Sequence, residues 1–333
     1  MNVRRHHISG LATAAATALA LGTLSACSSD STAAGNTEKF DVVASFYPMA
    51  YLAEQIGGEH VSVSSLTKPG QEPHDLEIST QQRAQLEESD AALYLKGLQP
   101  TVDEAVAQSG VKTKIDAATL TKLEELGTED GHDHGGEEEH AEEGHSEEGH
   151  TEEEHSEQEH ALDPHVWLDP SKYAEIAEGV GKALQKADPD HAADYRKNTA
   201  GLVKKLTALD AAFQEGLKNT KTKVFFTHHA AFGYLAHRYG LTQEAIAGLD
   251  PESEPSAARV KELQQEAKAD GVTTVFYETL VSDKTAKTLA RDAGLKTDVL
   301  DPVEGITDKS RGDDYIQVME ANLEALKKAL GSK

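Results

Sequence analysis

From residue 40 to residue 330 the sequence alternates between short apolar runs and longer segments with helical spacing, and this alternation limits the fold more than any other feature. Runs such as FDVVASF (40–46) and AALYLKG (91–97) have the length and composition of buried strands. Segments such as YPMAYLAEQIGG (47–58) have the apolar spacing of helices. Strands that alternate with helices pair in parallel, because a parallel connection has to cross over the sheet. The sequence therefore predicts an α/β fold.

One helical segment is longer than the others. Residues 191–217 keep helical spacing throughout, for about 40 Å of helix, with an apolar stripe formed by Tyr195, Leu202, Leu206, Leu209 and Phe213. We therefore predict two lobes, each with a mostly parallel sheet flanked by helices, joined by one long rigid backbone helix. The predicted bounds are 39–188 for the N-terminal lobe, 189–218 for the linking helix and 219–333 for the C-terminal lobe.

The N-terminal region predicts export. Basic residues precede a short apolar stretch that ends in LSAC, at Cys27, as in bacterial lipoprotein signals. We predict a signal peptide over 1–27, lipidation of Cys27, a flexible tether over 28–38, and a protein anchored by lipid to the outer face of the cytoplasmic membrane. The alternative is an ordinary secretory signal with a chance cysteine.

The cysteine count restricts the chemistry of the fold. Cys27 is the only cysteine of the chain, so an internal disulfide and a thiolate site within the fold are both excluded. Any metal ion must therefore be held by imidazole and carboxylate groups, and covalent cysteine catalysis is excluded.

Much of the negative charge lies in one segment. The formal net charge is −26, but residues 129–160 carry 15 acidic residues and no Lys or Arg, which leaves −11 elsewhere. This balance argues against a nucleic-acid partner. We predict that 129–160 is a disordered loop inside the N-terminal lobe, because repeated like charge resists compact folding. We predict that its histidines make it an accessory loop that binds metal weakly; the alternative is a purely solvating tract. The histidines are His132, His134, His140, His145, His150, His155 and His160.

Four candidate metal ligands lie elsewhere, in loops. His74 (in EPHDLE), His229 (in VFFTHHAAFGY) and Glu304 (in VLDPVEGIT) each follow a predicted strand, and ligands of open α/β sheets bind at those strand ends. His165 lies in LDPHVWLDP, a turn bracketed by prolines. Each predicted lobe supplies two of the four, so one ion in the crevice would contact both lobes. Three imidazoles and one carboxylate suit tetrahedral zinc.

Spacing alone leaves two alternatives open. His228 adjoins His229, and adjacent side chains of a strand point to opposite faces, so only one of them can enter the crevice. Glu278, in VFYETLVS, also ends a strand and competes with Glu304. His228 could therefore replace His229 as a ligand, and Glu278 could replace Glu304.

Several motifs together resemble one family. FYPMAYLAEQIGGEHVSV, EPHDLEIST, DPHVWLDP, HHAAFGYLAHRYGL and VLDPVEGI are similar to segments of the metal-binding receptor lipoproteins of bacterial zinc and manganese ABC transporters, the cluster A-I (cluster 9) solute-binding proteins. The likeness covers nearly all of residues 40–330, apart from the acidic tract. It implies a two-lobed receptor that binds one divalent ion between its lobes.

The resemblance also implies ligands. It assigns His74, His165, His229 and Glu304 to the ion, and it leaves Glu278 and His228 as alternative or supporting groups. Members for manganese typically have a carboxylate at the third position and lack a histidine-rich loop. Histidine at position 229 and the acidic tract therefore indicate Zn²⁺ as the transported ligand.

From this resemblance we expect a monomeric receptor that captures zinc outside the cytoplasm, passes it to an ABC transporter permease and performs no bond chemistry. A manganese or iron receptor of the same family is one alternative, and a zinc buffer or adhesin is another. A zinc hydrolase, with Glu278 as general base, is a rival of another class, although the sequence has no HExxH motif.

Overall fold

A computed structural model describes residues 39–126 and 162–332. The predicted signal peptide, Cys27, the tether and the acidic tract with its seven histidines lie outside these residues. Within them, no helix combines the length and the apolar character that crossing a membrane requires.

The first half of the fold is built on a parallel sheet of four strands in the order β2-β1-β3-β4. Its strands are β1 (Phe40–Ala44), β2 (Val61–Ser65), β3 (Ala91–Tyr94) and β4 (Thr113–Asp116). Helices α1 (Tyr47–Gly57), α2 (Thr80–Glu88) and α3 (Pro100–Gln108) connect them. Ser79 caps α2 with a reciprocal bond to Gln82, which fixes where the loop that carries His74 ends.

The second half repeats this arrangement. Its parallel sheet has the order β6-β5-β7-β8, with β5 (Val224–Thr227), β6 (Thr242–Ala245), β7 (Thr274–Tyr277) and β8 (Lys296–Val299). Helices α6 (Gly233–Tyr239), α7 (Ala257–Ala269), α8 (Lys284–Ala293) and α9 (Tyr315–Leu330) complete it. Both sheets therefore place their first strand second and their third strand beside it.

Two helices connect the halves. Helix α4 (Pro170–Ala187) is capped by Asp169, whose carboxylate accepts the N–H groups of Ser171 and Lys172. Helix α5 (Ala192–Leu217) is the predicted long linking helix, and its apolar stripe is buried as predicted. It packs against α1 and α4 of the first half and α9 of the second. One apolar core runs from Val42 through Leu206 to Phe225, so both halves share it.

The predicted fold class, two α/β lobes joined by a long helix, is confirmed. One element begins later than its sequence indicates, since α6 starts at Gly233 although the helical pattern begins at Ala230. The reason is that the Ala230 N–H donates to the Gly248 carbonyl and so holds residues 228–232 in a turn. The lobe boundaries at 188/189 and 218/219 stay predictions.

Candidate metal centre

The four candidate side chains converge at the carboxyl ends of the two sheets. His74 comes from the loop between β2 and α2, and His165 from the turn that precedes α4. His229 follows β5, and Glu304 follows β8. One donor atom from each lies within 4.8 Å of the others.

Their donor atoms are arranged around one point. Glu304 Oε1 lies 3.3 Å from the Nε2 of His74 and 3.5 Å from the Nε2 of both His165 and His229. His165 Nε2 lies 3.3 Å from His74 Nε2 and 3.4 Å from His229 Nε2. A tetrahedral zinc ion with bonds of about 2.05 Å separates its donors by about 3.3 Å. The cluster therefore has the dimensions of a zinc tetrahedron.

Burial is unequal across the cluster. The side chains of His165 and His229 are 0% exposed and that of Glu304 is 1% exposed, whereas that of His74 is 11% exposed. Water therefore reaches the cluster from the side of His74.

Two of the imidazoles are held from behind by carboxylates. Asp163 Oδ1 accepts from the backbone N–H of His165 and lies 2.8 Å from its Nδ1. Glu278 Oε1 lies 2.6 Å from His229 Nδ1 and 3.2 Å from the backbone nitrogen of that residue. Such contacts orient a metal-binding histidine and leave its Nε2 free for the ion. Sequence reasoning missed Asp163, although its position two residues before His165 was a usable signal.

His74 is held differently. Glu72 Oε1 accepts its backbone N–H at 3.0 Å. Across residues 39–126 and 162–332, no carboxylate bonds to the Nδ1 of its ring. The ring of His74 therefore lacks the support from behind that the rings of His165 and His229 have.

The loop that carries Glu304 is fixed by hydrogen bonds from two other parts of the fold. The side chain of Asn322 bonds to the backbone of Asp301 twice. Its Oδ1 accepts the Asp301 N–H, and its Nδ2 donates to the Asp301 carbonyl. The Trp167 indole N–H donates to the Pro302 carbonyl at 2.7 Å and so joins the His165 turn to this loop. Val303 has a φ of 59° and is the one non-glycine residue with positive φ in the described part of the chain. A buried β-branched residue there stores backbone strain, which the surrounding bonds must maintain.

Electrostatics follow from this crowding. Burial raises the pKa of Glu304, but hydrogen bonds from His165, His229 and His74 outweigh it and hold that pKa well below the usual range. Burial lowers the pKa of His165 and of His229, but the carboxylates Asp163, Glu278 and Glu304 outweigh it and raise both. The cluster therefore attracts cations, protons among them.

The two open alternatives fall behind His229. Glu278 is 4% exposed and bonds to His229 on the side away from Glu304. His228 is also buried, with its Nδ1 3.8 Å from Glu278 Oε1. These three residues form a second group of donors within 4.8 Å of one another. Neither Glu278 nor His228 belongs to the group that contains Glu304.

Known proteins resemble this chain closely. The family model described as "ZnuA: Zinc-uptake complex component A periplasmic" matches residues 42–329. The zinc-binding lipoprotein AdcA of Streptococcus pneumoniae TIGR4 is 38% identical over 311 residues, which are 91% of this chain and 58% of AdcA. The high-affinity zinc uptake system protein ZnuA of Bacillus subtilis 168 is 35% identical over 316 residues, covering 92% of this chain and 93% of ZnuA.

A solved structure gives the same relation. The Zn(II)-bound ZnuA-like domain of Streptococcus pneumoniae AdcA superposes with a TM-score of 0.69 at 34% identity, over 88% of this chain and 99% of that domain. The chain thus spans 58% of the length of full AdcA, and the part that it matches includes the ZnuA-like domain.

Proposed function

The chain belongs to the family of periplasmic zinc-uptake complex component A proteins, and from that premise we propose that it is an extracytoplasmic receptor that binds one Zn²⁺ ion and delivers it to an ABC transporter permease. We propose His74, His165, His229 and Glu304 as the four ligands. The lipid anchor at Cys27, the monomeric state and the permease are parts of the same proposal.

The single observation that supports this proposal most is the spacing of the four donors. The separations of 3.3–3.5 Å among the imidazole Nε2 atoms and Glu304 Oε1 match the edges of a zinc tetrahedron. The carboxylates behind His165 and His229 supply the support that metal-binding histidines need.

The donor set favours zinc over manganese or iron. Three imidazole nitrogens and one carboxylate oxygen suit a borderline ion in four-coordinate geometry. Manganese prefers a harder shell that is richer in oxygen and has more ligands. The alternative cargoes are therefore disfavoured by ligand chemistry.

The same arrangement favours a receptor over a hydrolase. A catalytic zinc ion keeps one position open for water, whereas four protein side chains complete this tetrahedron. Glu278, the candidate general base, is already bonded to His229 on the far side of that ring. An attacking water molecule between Glu278 and the ion has no place in this geometry.

A zinc titration by calorimetry, with a competing chelator, tests the proposal on the mature chain with and without residues 129–160. We expect one tight site that survives this deletion and weaker sites that disappear with it. His229→Ala should strongly weaken the tight site. His237→Ala is the matched control, because His237 is a histidine of α6 whose side chain is 67% exposed. Loss of the tight site with the tract would show that the four ligands are wrongly assigned.

A further inference from the structure

A second group of donors lies on the far side of His229, away from Glu304. It consists of His228, Glu278 and the Nδ1 side of His229 itself. All three residues are buried, with exposures of 7% for His228, 4% for Glu278 and 0% for His229. The proposed receptor function uses only His229 as a ligand and Glu278 as its support, so His228 has no role in it.

His228 is an unusual buried residue. Its side chain is 8% exposed, and its Nδ1 has no hydrogen-bond partner in the described ranges. A buried polar atom without a partner costs about 1–3 kcal/mol, and such atoms in folded proteins usually meet a ligand, a water molecule or an ion. The imidazole therefore needs a partner that the described residues do not provide.

The neighbouring carboxylate lies at a distance that suits an ion. His228 Nδ1 and Glu278 Oε1 are 3.8 Å apart, which is too far for a hydrogen bond. Around a tetrahedral zinc ion two such donors lie about 3.3 Å apart. A divalent ion can therefore bind both atoms if the two side chains close by about 0.5 Å.

The space beside His228 can supply the rest of a coordination shell. His228 lines a cavity of about 390 Å³, and Glu252 and Glu254 line it as well. A volume of this size holds several water molecules. Both glutamates are exposed, so they add negative charge at the entrance and favour the arrival of cations.

We propose that His228 and Glu278 form a second, weaker binding site for a divalent ion of zinc's class, with water and Glu252 completing its shell from the cavity. This site rests on the proposed function in one respect, since it takes His229 to be a ligand of the tight site. It is weaker because the protein supplies fewer fixed ligands there and one of them is shared.

The shared carboxylate couples the two sites. An ion at the second site draws on Glu278, which otherwise orients His229, and adds positive charge behind that ring. Filling the second site should therefore weaken the tight site by about tenfold, the lower end of the effect of losing such a supporting contact. Linkage requires the reverse as well: an ion in the tight site weakens the second site by the same factor.

Cadmium NMR on the full chain tests this proposal, because each bound ion gives its own resonance. One equivalent should give a single line from the tight site in every variant that keeps the four ligands. Excess cadmium should add signals from the histidine tract 129–160, which every variant keeps, and one further line that His228→Gln abolishes and His237→Gln keeps. The first line should also shift when this further line appears, except in His228→Gln.

The proposal is overturned if no line that the unmodified chain shows in excess cadmium is lost in His228→Gln. Absence of the first line would instead count against the proposed receptor function, so the two failures are distinguishable. If His228→Gln fails to fold, anomalous diffraction from crystals of the unmodified chain in excess zinc decides the matter. A peak between His228 Nδ1 and Glu278 is then required, and its absence refutes the second site.

Discussion

The two halves of the molecule have the same strand order but contribute unequally to the proposed zinc site. The half built on β5 to β8 supplies His229 and Glu304, which are at most 1% exposed and lie on backbone fixed by buried hydrogen bonds. The half built on β1 to β4 supplies His74, which is 11% exposed and has no carboxylate behind its ring in the described residues. His165, from the turn before the connecting helix α4, is 0% exposed and is held by Asp163. Three ligands therefore lie on firm supports, and His74 of the first half is the one that can yield.

Removing the carboxylate of Glu304 should cause the largest loss of zinc affinity. Glu304→Gln leaves three imidazoles around a buried position without the negative charge that faces all of them. Removing one partner of a buried ionic group costs about 3–5 kcal/mol, which is roughly a 150-fold to several-thousand-fold loss of zinc affinity. A chelator-competition titration measures the loss. A change of less than about tenfold would mean that Glu304 is not a ligand.

Because His229 and His74 are supported unequally, replacing each by alanine should reduce zinc affinity by different amounts. His229→Ala leaves Glu278 buried without its ring partner, whereas His74→Ala opens the site to water, which can take the fourth position. We expect His229→Ala to weaken zinc binding by about 1–3 kcal/mol more than His74→Ala. Affinities and zinc dissociation rates of both variants check this. Equal losses would remove the distinction between the firmly held ligands and the yielding His74.

The carboxylates behind the rings offer a smaller test of the same distinction. Asp163→Asn keeps an oxygen for the His165 backbone N–H but loses the charge on its Nδ1, so we expect zinc affinity to fall by about 10- to 100-fold. Glu72→Gln is the matched control on the His74 side. Glu72 bonds to backbone N–H groups and not to the ring, so affinity should stay within about twofold. Similar losses in both variants would contradict the role given to Asp163.

Much of the fold could be predicted from the sequence because the alternation of strands and helices determines it. Each predicted strand, from Phe40–Ala44 to Lys296–Val299, is present. The sequence shows no internal repeat, yet both sheets have the same strand order. Order depends on how the connections cross over, not on residue identity, so it could be shared without a visible repeat. The late start of α6 could not be predicted, because it depends on a bond from Ala230 to the distant Gly248.

The ligands of the candidate site could be predicted from the sequence, but the contacts that hold them in place could not. Loop position and residue type were enough to propose the four ligands, and the fold brings their donors together. Which rings have carboxylates behind them depends on the local backbone, as for Asp163, or on a contact between strands, as for Glu278. The positive φ of Val303 likewise requires the bonds of Asp301 and Pro302 around it, which are set by tertiary packing.

Protons compete with zinc for the same atoms, and the direction of this competition follows from the pKa shifts. Carboxylates raise the pKa of His165 and His229 above the ordinary value of about 6.5. In the metal-free protein these raised pKa values therefore contribute stability that is fully present below pH 6.5 and is lost as the pH rises through the raised values. Zinc requires both rings without their Nε2 protons, so the zinc-bound protein has the opposite dependence.

We therefore expect the difference in Tm between zinc-loaded and metal-free protein to grow from about pH 6 to pH 8. Zinc affinity should fall by about tenfold for each unit by which the pH is lowered, for each proton displaced. Glu304 should not contribute in this range, because its pKa is lowered and it stays ionised. Thermal unfolding at a series of pH values, at fixed free zinc, measures the effect. Asp163→Asn should move the response of His165 to lower pH, since the group that raises its pKa has lost its charge. A Tm difference that is independent of pH would show that the firmly held imidazoles do not bind the ion.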